Sequence, residues 1–212
     1  MNILITGNMG YVGSVVARRL REKLGAATLV GADSGFFAHC LAGDGEVLPE
    51  RVVDTQHFVD VRRMEPRHLD GIDAVVHLAG ISNDPIGNAY ESVTDEINHR
   101  VSVRLARMAR EAGVRRFVFA SSCSVYGCAE GAARSEEAEL NPLTAYARSK
   151  IDAEIGLAPL ADERLLVTCL RFPTACGMSP RLRLDLVLND FVASAVATGV
   201  VRVISDGTPW RP

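Results

Sequence analysis

The sequence predicts a doubly wound, parallel α/β sheet, and three observations lead to it. Short apolar runs of strand length alternate along the chain with longer stretches of helical period. Such alternation places helices on both faces of a parallel sheet. The first run, Asn2-Ile-Leu-Ile-Thr6, passes directly into a glycine-rich turn and then into a helix with Val15, Val16 and Leu20 on one stripe. That strand–turn–helix order is the one that presents a helix N-terminus to a phosphate.

Taken in order, the apolar runs predict strands over 2–7, 27–32, 57–60, 73–78, 114–121, 165–171 and 200–204, and the periodic stretches predict helices near 11–24, 95–112, 143–158 and 184–199. Within the second helix Val101, Leu105, Met108 and Ala112 share a face, Arg100, Arg104, Arg107 and Arg110 fall elsewhere as a solvated face, and Gly113 caps the end. Gly43-Asp-Gly45 and Ser82 to Asn88 read as loops, the latter placed to border a substrate. Right-handed crossovers between successive strands give a Rossmann-type sheet.

Composition narrows the class. A 212-residue chain is one domain, or one plus a fragment. With 48% hydrophobic and 23% charged residues it has the make-up of a soluble globular protein, and a net charge of −3 gives no footprint for nucleic acid. No run reaches membrane-spanning length, and the N-terminal stretch lacks the basic start and length of a signal peptide. Five cysteines without paired metal spacing fit a reducing cytoplasm, and Cys123 and Cys128 read as buried, inert thiols. No metal site is expected.

Two patterns carry chemistry. In the glycine turn, Gly7 permits the tight bend, Gly10 lets backbone approach a pyrophosphate, and Gly13 allows close helix–strand packing, with Tyr11 and Val12 in the first helical turn. Asp33 ends the second strand about twenty residues further on, where a carboxylate binds ribose hydroxyls and repels a 2′-phosphate; NAD is therefore expected rather than NADP. The second pattern is Tyr146-Ala-Arg-Ser-Lys150. Four residues apart on a helix, phenol and ammonium share a face, and the cation favours the phenolate needed for proton transfer. Lys150 is conspicuous because Lys23 is the only other lysine among 23 basic residues, and Arg is a poor substitute for a titratable ammonium.

These residues together resemble the extended short-chain dehydrogenase/reductase family, in its NAD-dependent nucleotide-sugar epimerase and dehydratase branch. The resemblance runs over essentially the whole chain. Gly7-x-x-Gly10-x-x-Gly13 has the extended spacing. Asp60-Val61-Arg matches the segment that contacts adenine, His77-Leu78-Ala79-Gly80 the loop lying along the cofactor, and Asn98 the family's helix asparagine. Ser121-Ser122-Cys-Ser124-Val-Tyr126-Gly127 resembles the fifth-strand motif with the catalytic hydroxyl.

The resemblance implies roles. Tyr146 is the acid/base, Lys150 holds the nicotinamide ribose and lowers the tyrosine pKa, and Ser122 hydrogen-bonds the reacting hydroxyl. Arg211 matches a family residue that contacts the nucleotide diphosphate; Ser82, in the loop bordering a substrate, Ser124, beside Ser122, and Thr174, in the segment after the sixth strand, are further substrate-binding candidates. Family 4,6-dehydratases follow the catalytic Thr with Asp and Glu, whereas Ser122 is followed by Cys123 and Ser124; epimerisation of the 4-epimerase kind, passing through a keto-sugar, is therefore the leading expectation. Two rivals stand: a related nucleotide-sugar ketoreductase or dehydrogenase, and a non-catalytic NAD-binding module. Arg171-Phe-Pro-Thr174-Ala-Cys-Gly177 lacks the Asn that the family often places against the substrate diphosphate. A substantial substrate-binding segment follows the Arg211 position in the family, so the C-terminal part is expected to be largely missing. The expected division is an NAD-binding domain over 1–204 and the start of a substrate region over 173–212. Residues 173–190 and 205–212 are then expected to be loosely held or paired with another chain. Family homodimers form through helices matching 95–112 and 143–158.

Overall fold

A computed structural model describes residues 1–42, 48–82, 84–128, 133–204 and 206. Six strands form one parallel sheet: β1 (Asn2–Thr6), β2 (Thr28–Asp33), β3 (Thr55–Phe58), β4 (Ala74–His77), β5 (Arg116–Ser122) and β6 (Leu166–Phe172). Their order across the sheet is β3-β2-β1-β4-β5-β6. Winding reverses between β1 and β4, so a crevice opens at the carboxyl ends of those two strands.

The helices are α1 (Tyr11–Lys23), α2 (Asp84–Ala89), α3 (Glu91–Asp95), α4 (Val101–Glu111), α5 (Ala145–Leu157) and α6 (Val187–Thr198). Side chains alternate across the sheet and split the core in two. Leu4, Val75, Phe117 and Phe119 point to the side covered by α4 and α5, where Leu105, Ala106, Ala109, Ala153 and Leu157 bury. Ile3, Ile5, Leu29 and Ala74 point to the α1 side and meet Ala17. The predicted stripe on α4 holds at Val101 and Leu105, but Met108 is only part-buried and Ala112 is exposed at the C-cap, while Val103, Ala106 and Ala109 bury instead.

Four expectations are corrected. Residues 200–204 form no strand: an apolar run becomes one only where a ladder partner meets it, and here Gly199 ends α6 in a left-handed conformation and Ile204 is fully exposed. The Ser82–Asn88 loop contains α2, for which Pro85 sits in the first turn, where its missing N–H costs nothing. The helix expected over 95–112 begins at Glu91 and is interrupted by a π-turn over Glu96–Arg100. Its arginines are not simply solvated: Arg104 donates to the carbonyls of Val61 and Arg62, and Arg110 pairs with Asp162. Gly43-Asp-Gly45 lies outside the described residues.

Candidate active site

Beneath the crevice, a buried relay joins three elements. Ser102 of α4 donates to the Asn98 carbonyl (2.7 Å), so its oxygen accepts from His77 Nε2 (2.8 Å). His77 Nδ1 is then the acceptor for the Thr6 hydroxyl (2.6 Å), and Thr6 in turn accepts from the Ala79 N–H (3.4 Å). This donor order assigns the Nε2–H tautomer. Burial first, and the Lys150 charge second, pull the imidazole from 6.5 down to about 3, so it is neutral. His77 thus belongs to the scaffold that shapes the Leu78-Ala79-Gly80 loop.

Asn98 fixes the next step of that loop. Its side-chain oxygen accepts from Ile81 N–H and its amide donates to the Ile81 carbonyl, both at 2.8 Å, while the same amide reaches Ser149 Oγ at 3.1 Å. The π-turn places Asn98 so that one side chain ties the β4 loop to α5; such turns favour functional positions. At Gly80 a Cβ would stand 2.9 Å from the Asn98 oxygen and 3.6 Å from Lys150 Nζ, so a side chain there would have to displace the amide that holds the loop.

The glycine turn forms the other wall. Gly7 has φ +74°, and a Cβ there would stand 2.7 Å from Ala79 N; a Cβ on Gly13 would overlap the Gly7 carbonyl at 2.0 Å. The first α1 bond runs from Ser14 N–H to Gly10 C=O. The amides of Tyr11, Val12 and Gly13 precede it without an intrahelical partner, and no acidic side chain occupies the first turn. Asp33 accepts from Met9 N–H at 3.1 Å and Gly35 N–H at 2.8 Å; burial raises its pKa and these two bonds oppose that rise. Asp60 lies further along, at the foot of β3. It caps the turn containing Val61 and pairs with Arg62 at 2.7 Å, which lowers its pKa.

At the far end of the crevice Ser122 closes β5 and its hydroxyl accepts from Ser124 N–H at 3.1 Å. Tyr146 and Lys150 share the first turns of α5, whose cap is the Thr144 hydroxyl. Lys150 is 4% exposed and donates to the Ala120 carbonyl at 2.8 Å, two residues before Ser122. Its Nζ lies 5.5 Å from the Tyr146 ring centroid and 4.7 Å from that of Phe119. Burial brings the ammonium from 10.5 down to about 8, with Cys169 and Glu154 opposing. It remains largely charged at neutral pH. The Ser124 hydroxyl is buried without a hydrogen-bond partner among the described residues. Thr174 is exposed beyond β6, Ser82 is exposed at the end of the β4 loop, and Arg211 is outside the described residues.

Sequence reasoning missed two clusters. Behind β5, Arg171 forks onto Glu154 (2.6 Å), donates to the Tyr126 hydroxyl (2.7 Å) and joins β6 to α5; Ser121 also donates to Glu154. The second is a strap after β6. Ser179 donates to the Tyr11 carbonyl at 2.7 Å, and buried Arg181 reaches the carbonyls of Met9 and Ala38 and the Glu50 carboxylate (2.7 Å). Residues 173–190 are therefore not loosely held as expected, because the glycine turn itself supplies the strap's partners. Nothing local marked Ser179 and Arg181, because these partners lie more than a hundred residues away. Cys123 is part-buried, but Cys128 is exposed, contrary to expectation.

A family model for the NAD dependent epimerase/dehydratase family matches residues 3–212. The chain belongs to that family. Among relatives of this NAD-dependent family, an uncharacterized UDP-glucose epimerase, YtcB, of Bacillus subtilis is 28% identical over all of the chain and 67% of its own length. The UDP-glucose 4-epimerase of Azospirillum brasilense is 29% identical over 95% of the chain and 55% of its own. Among solved structures, the NAD-dependent NDP-hexosamine 5,6-dehydratase TunA superposes with a TM-score of 0.84 at 25% identity, covering 99% of the chain and 66% of TunA. The UDP-glucuronic acid 4-epimerase of Bacillus cereus, solved with UDP-glucuronic acid and NAD, gives 0.81 at 25% identity over 100% of the chain and 68% of its own. The chain thus spans about half to two thirds of the length of these relatives. NAD is the family's cofactor, and the free α1 amides, the glycine cradle and the Asp33 carboxylate fit it. No helix among the described residues is long and apolar enough to cross a membrane.

Proposed function

We propose that this chain is the NAD-binding, acid/base part of a nucleotide-sugar 4-epimerase. The observation that carries the reading is the Lys150 bridge: one buried ammonium is bonded to β5 beside Ser122 and lies under the Tyr146 ring. Bound NAD supplies the acceptance and return of a hydride. Ser122 orients the sugar hydroxyl, and Tyr146 takes its proton, stabilised as phenolate by the nearby charge. When the resulting keto-sugar is turned over and reduced on its other face, Tyr146 gives the proton back. Asp33 holds the adenosine ribose, Asp60 and Val61 face adenine, and Leu78, Ala79 and Gly80 lie along the cofactor, with Asn98 fixing their loop. Ser82, Ser124, Thr174 and Arg211 are proposed toward the substrate.

Chemistry favours epimerisation over 4,6-dehydration. After Ser122 come a thiol whose pKa burial raises and a neutral hydroxyl, and neither supplies the carboxylate pair that removal of water needs. Tyr146→Phe tests the reading. The variant should keep its fold and NAD binding while conversion of a UDP-hexose to its C4 epimer falls about two to four decades. Undiminished conversion would refute the role of Tyr146, and net NADH accumulation by the wild type would favour a dehydrogenase.

A further inference from the structure

The crevice has two walls, and neither offers a cationic side chain to a diphosphate. The glycine turn, residues 7–13, and the β4 loop, residues 78–82, contain no Lys or Arg. Lys150 and Arg181 are 4% and 3% exposed, the first held at the catalytic end by the Ala120 carbonyl and the second packed behind the glycine turn on two carbonyls and Glu50, whereas the Arg183 side chain is 28% exposed. Yet NAD brings two negative charges to this place, and hydrogen bonds from charged donors to such oxygens are the strong ones.

The strap supplies a cation from a third side. Asn189, at the start of α6, accepts from Gly177 N–H and donates to the Arg183 carbonyl, each at 2.8 Å, and to the Tyr11 hydroxyl at 3.1 Å. Tyr11 also donates to the Gly177 carbonyl at 2.8 Å. These bonds anchor the stretch 177–183 at its two ends against the first turn of α1. From that base the Arg183 side chain crosses to the opposite wall, where Nη1 donates to Ser82 Oγ at 2.8 Å. Asp185 takes Nε at 3.0 Å and Nη2 at 2.6 Å and raises the pKa of a guanidinium that is charged in any case; burial opposes this and the Tyr146 and Tyr11 phenols act with Asp185. Its head therefore stands between the glycine turn and the catalytic end. Of its five N–H donors these bonds use three, leaving two for a ligand.

We propose that Arg183 is a cofactor-binding residue that closes over the crevice and receives the pyrophosphate of NAD. The inference rests on NAD as the cofactor but not on epimerisation. It separates from a purely mechanical role, in which Arg183 only latches the strap to Ser82, by charge. Asp185 offsets part of the cation, so its removal should strengthen the effect.

Calorimetric titration with NAD and with ADP-ribose tests this. Arg183→Gln should weaken both ligands about tenfold or more and flatten the loss of affinity with added salt, while the melting temperature without ligand stays unchanged. Arg183→Lys should recover part of the affinity, Ser82→Ala should bind nearly as the wild type does, and Asp185→Asn should bind more tightly. Wild-type affinity in Arg183→Gln would overturn the proposal and leave the cofactor assignment standing. A Ser82→Ala loss equal to that of Arg183→Gln would show a latch only. Failure of the wild type to bind NAD would overturn both the proposal and the cofactor reading.

Discussion

Asp33 and Lys150 show how burial sets a residue's task. Both lose solvation, but Asp33 regains part of it from two backbone amides and keeps a carboxylate at the end of β2. A 2′-phosphate placed there would meet that charge, so NAD should bind in preference to NADP. Asp33→Ala should weaken NAD, by removing ribose hydrogen bonds of about 1–3 kcal/mol in sum, and should narrow the gap to NADP by removing the repulsion. Titration of both cofactors against both proteins checks this; a wild type preferring NADP would refute the assignment. That Tyr146 and Lys150 share one face of α5 was legible in their four-residue spacing, while Ser122 was singled out by the family resemblance; their roles stand as proposed. Ser179, Arg181 and Arg183 were not legible, since their partners lie more than a hundred residues away and nothing local marks them.

Among the elements, the six strands were legible to within a few residues, although β3 and β6 leave Phe58, Leu166 and Leu170 exposed, as were α1, α5 and α6, because periodicity reports which side is buried. The π-turn was hidden, because its cause is a tertiary one: Asn98 must face Ile81 and Ser149 at once. The false strand at 200–204 shows the converse, an apolar pattern without a neighbour to pair with. The relay Ser102–His77–Thr6 makes a further prediction for β1, β4 and α4 together. A histidine whose folded pKa is about 3 and whose ordinary value is 6.5 binds a proton in the unfolded chain first. Its stabilising effect is complete above 6.5 and is lost as pH falls toward 3. Denaturant unfolding should therefore show stability declining between pH 6.5 and 5, above the range where most carboxylates titrate, and His77→Gln should be less stable at pH 7 yet flatter across that window. An unchanged slope in the variant would place the proton elsewhere.

At the scale of the whole molecule, the sheet order, the crevice at its reversal and the strap across it bring the glycine turn, Asp33 and the Tyr146–Lys150 pair to the carboxyl edge of the sheet. The α1 side of the sheet is thinner than the α4–α5 side, and α6 keeps Val187, Leu188, Val192 and Val196 exposed. The chain spans about half to two thirds of its relatives' length, and the proposed chemistry rests on the acid/base geometry around Lys150. That geometry makes a specific demand: the hydrogen removed from the sugar must return to the same carbon. The protein should be incubated with NAD and UDP-glucose carrying deuterium at C4, and the products followed by NMR and by absorbance at the reduced-nicotinamide band. The account predicts a C4-inverted sugar nucleotide that retains the deuterium, with no build-up of reduced cofactor. Loss of the label to solvent, or stoichiometric accumulation of reduced cofactor with a keto-sugar, would contradict it.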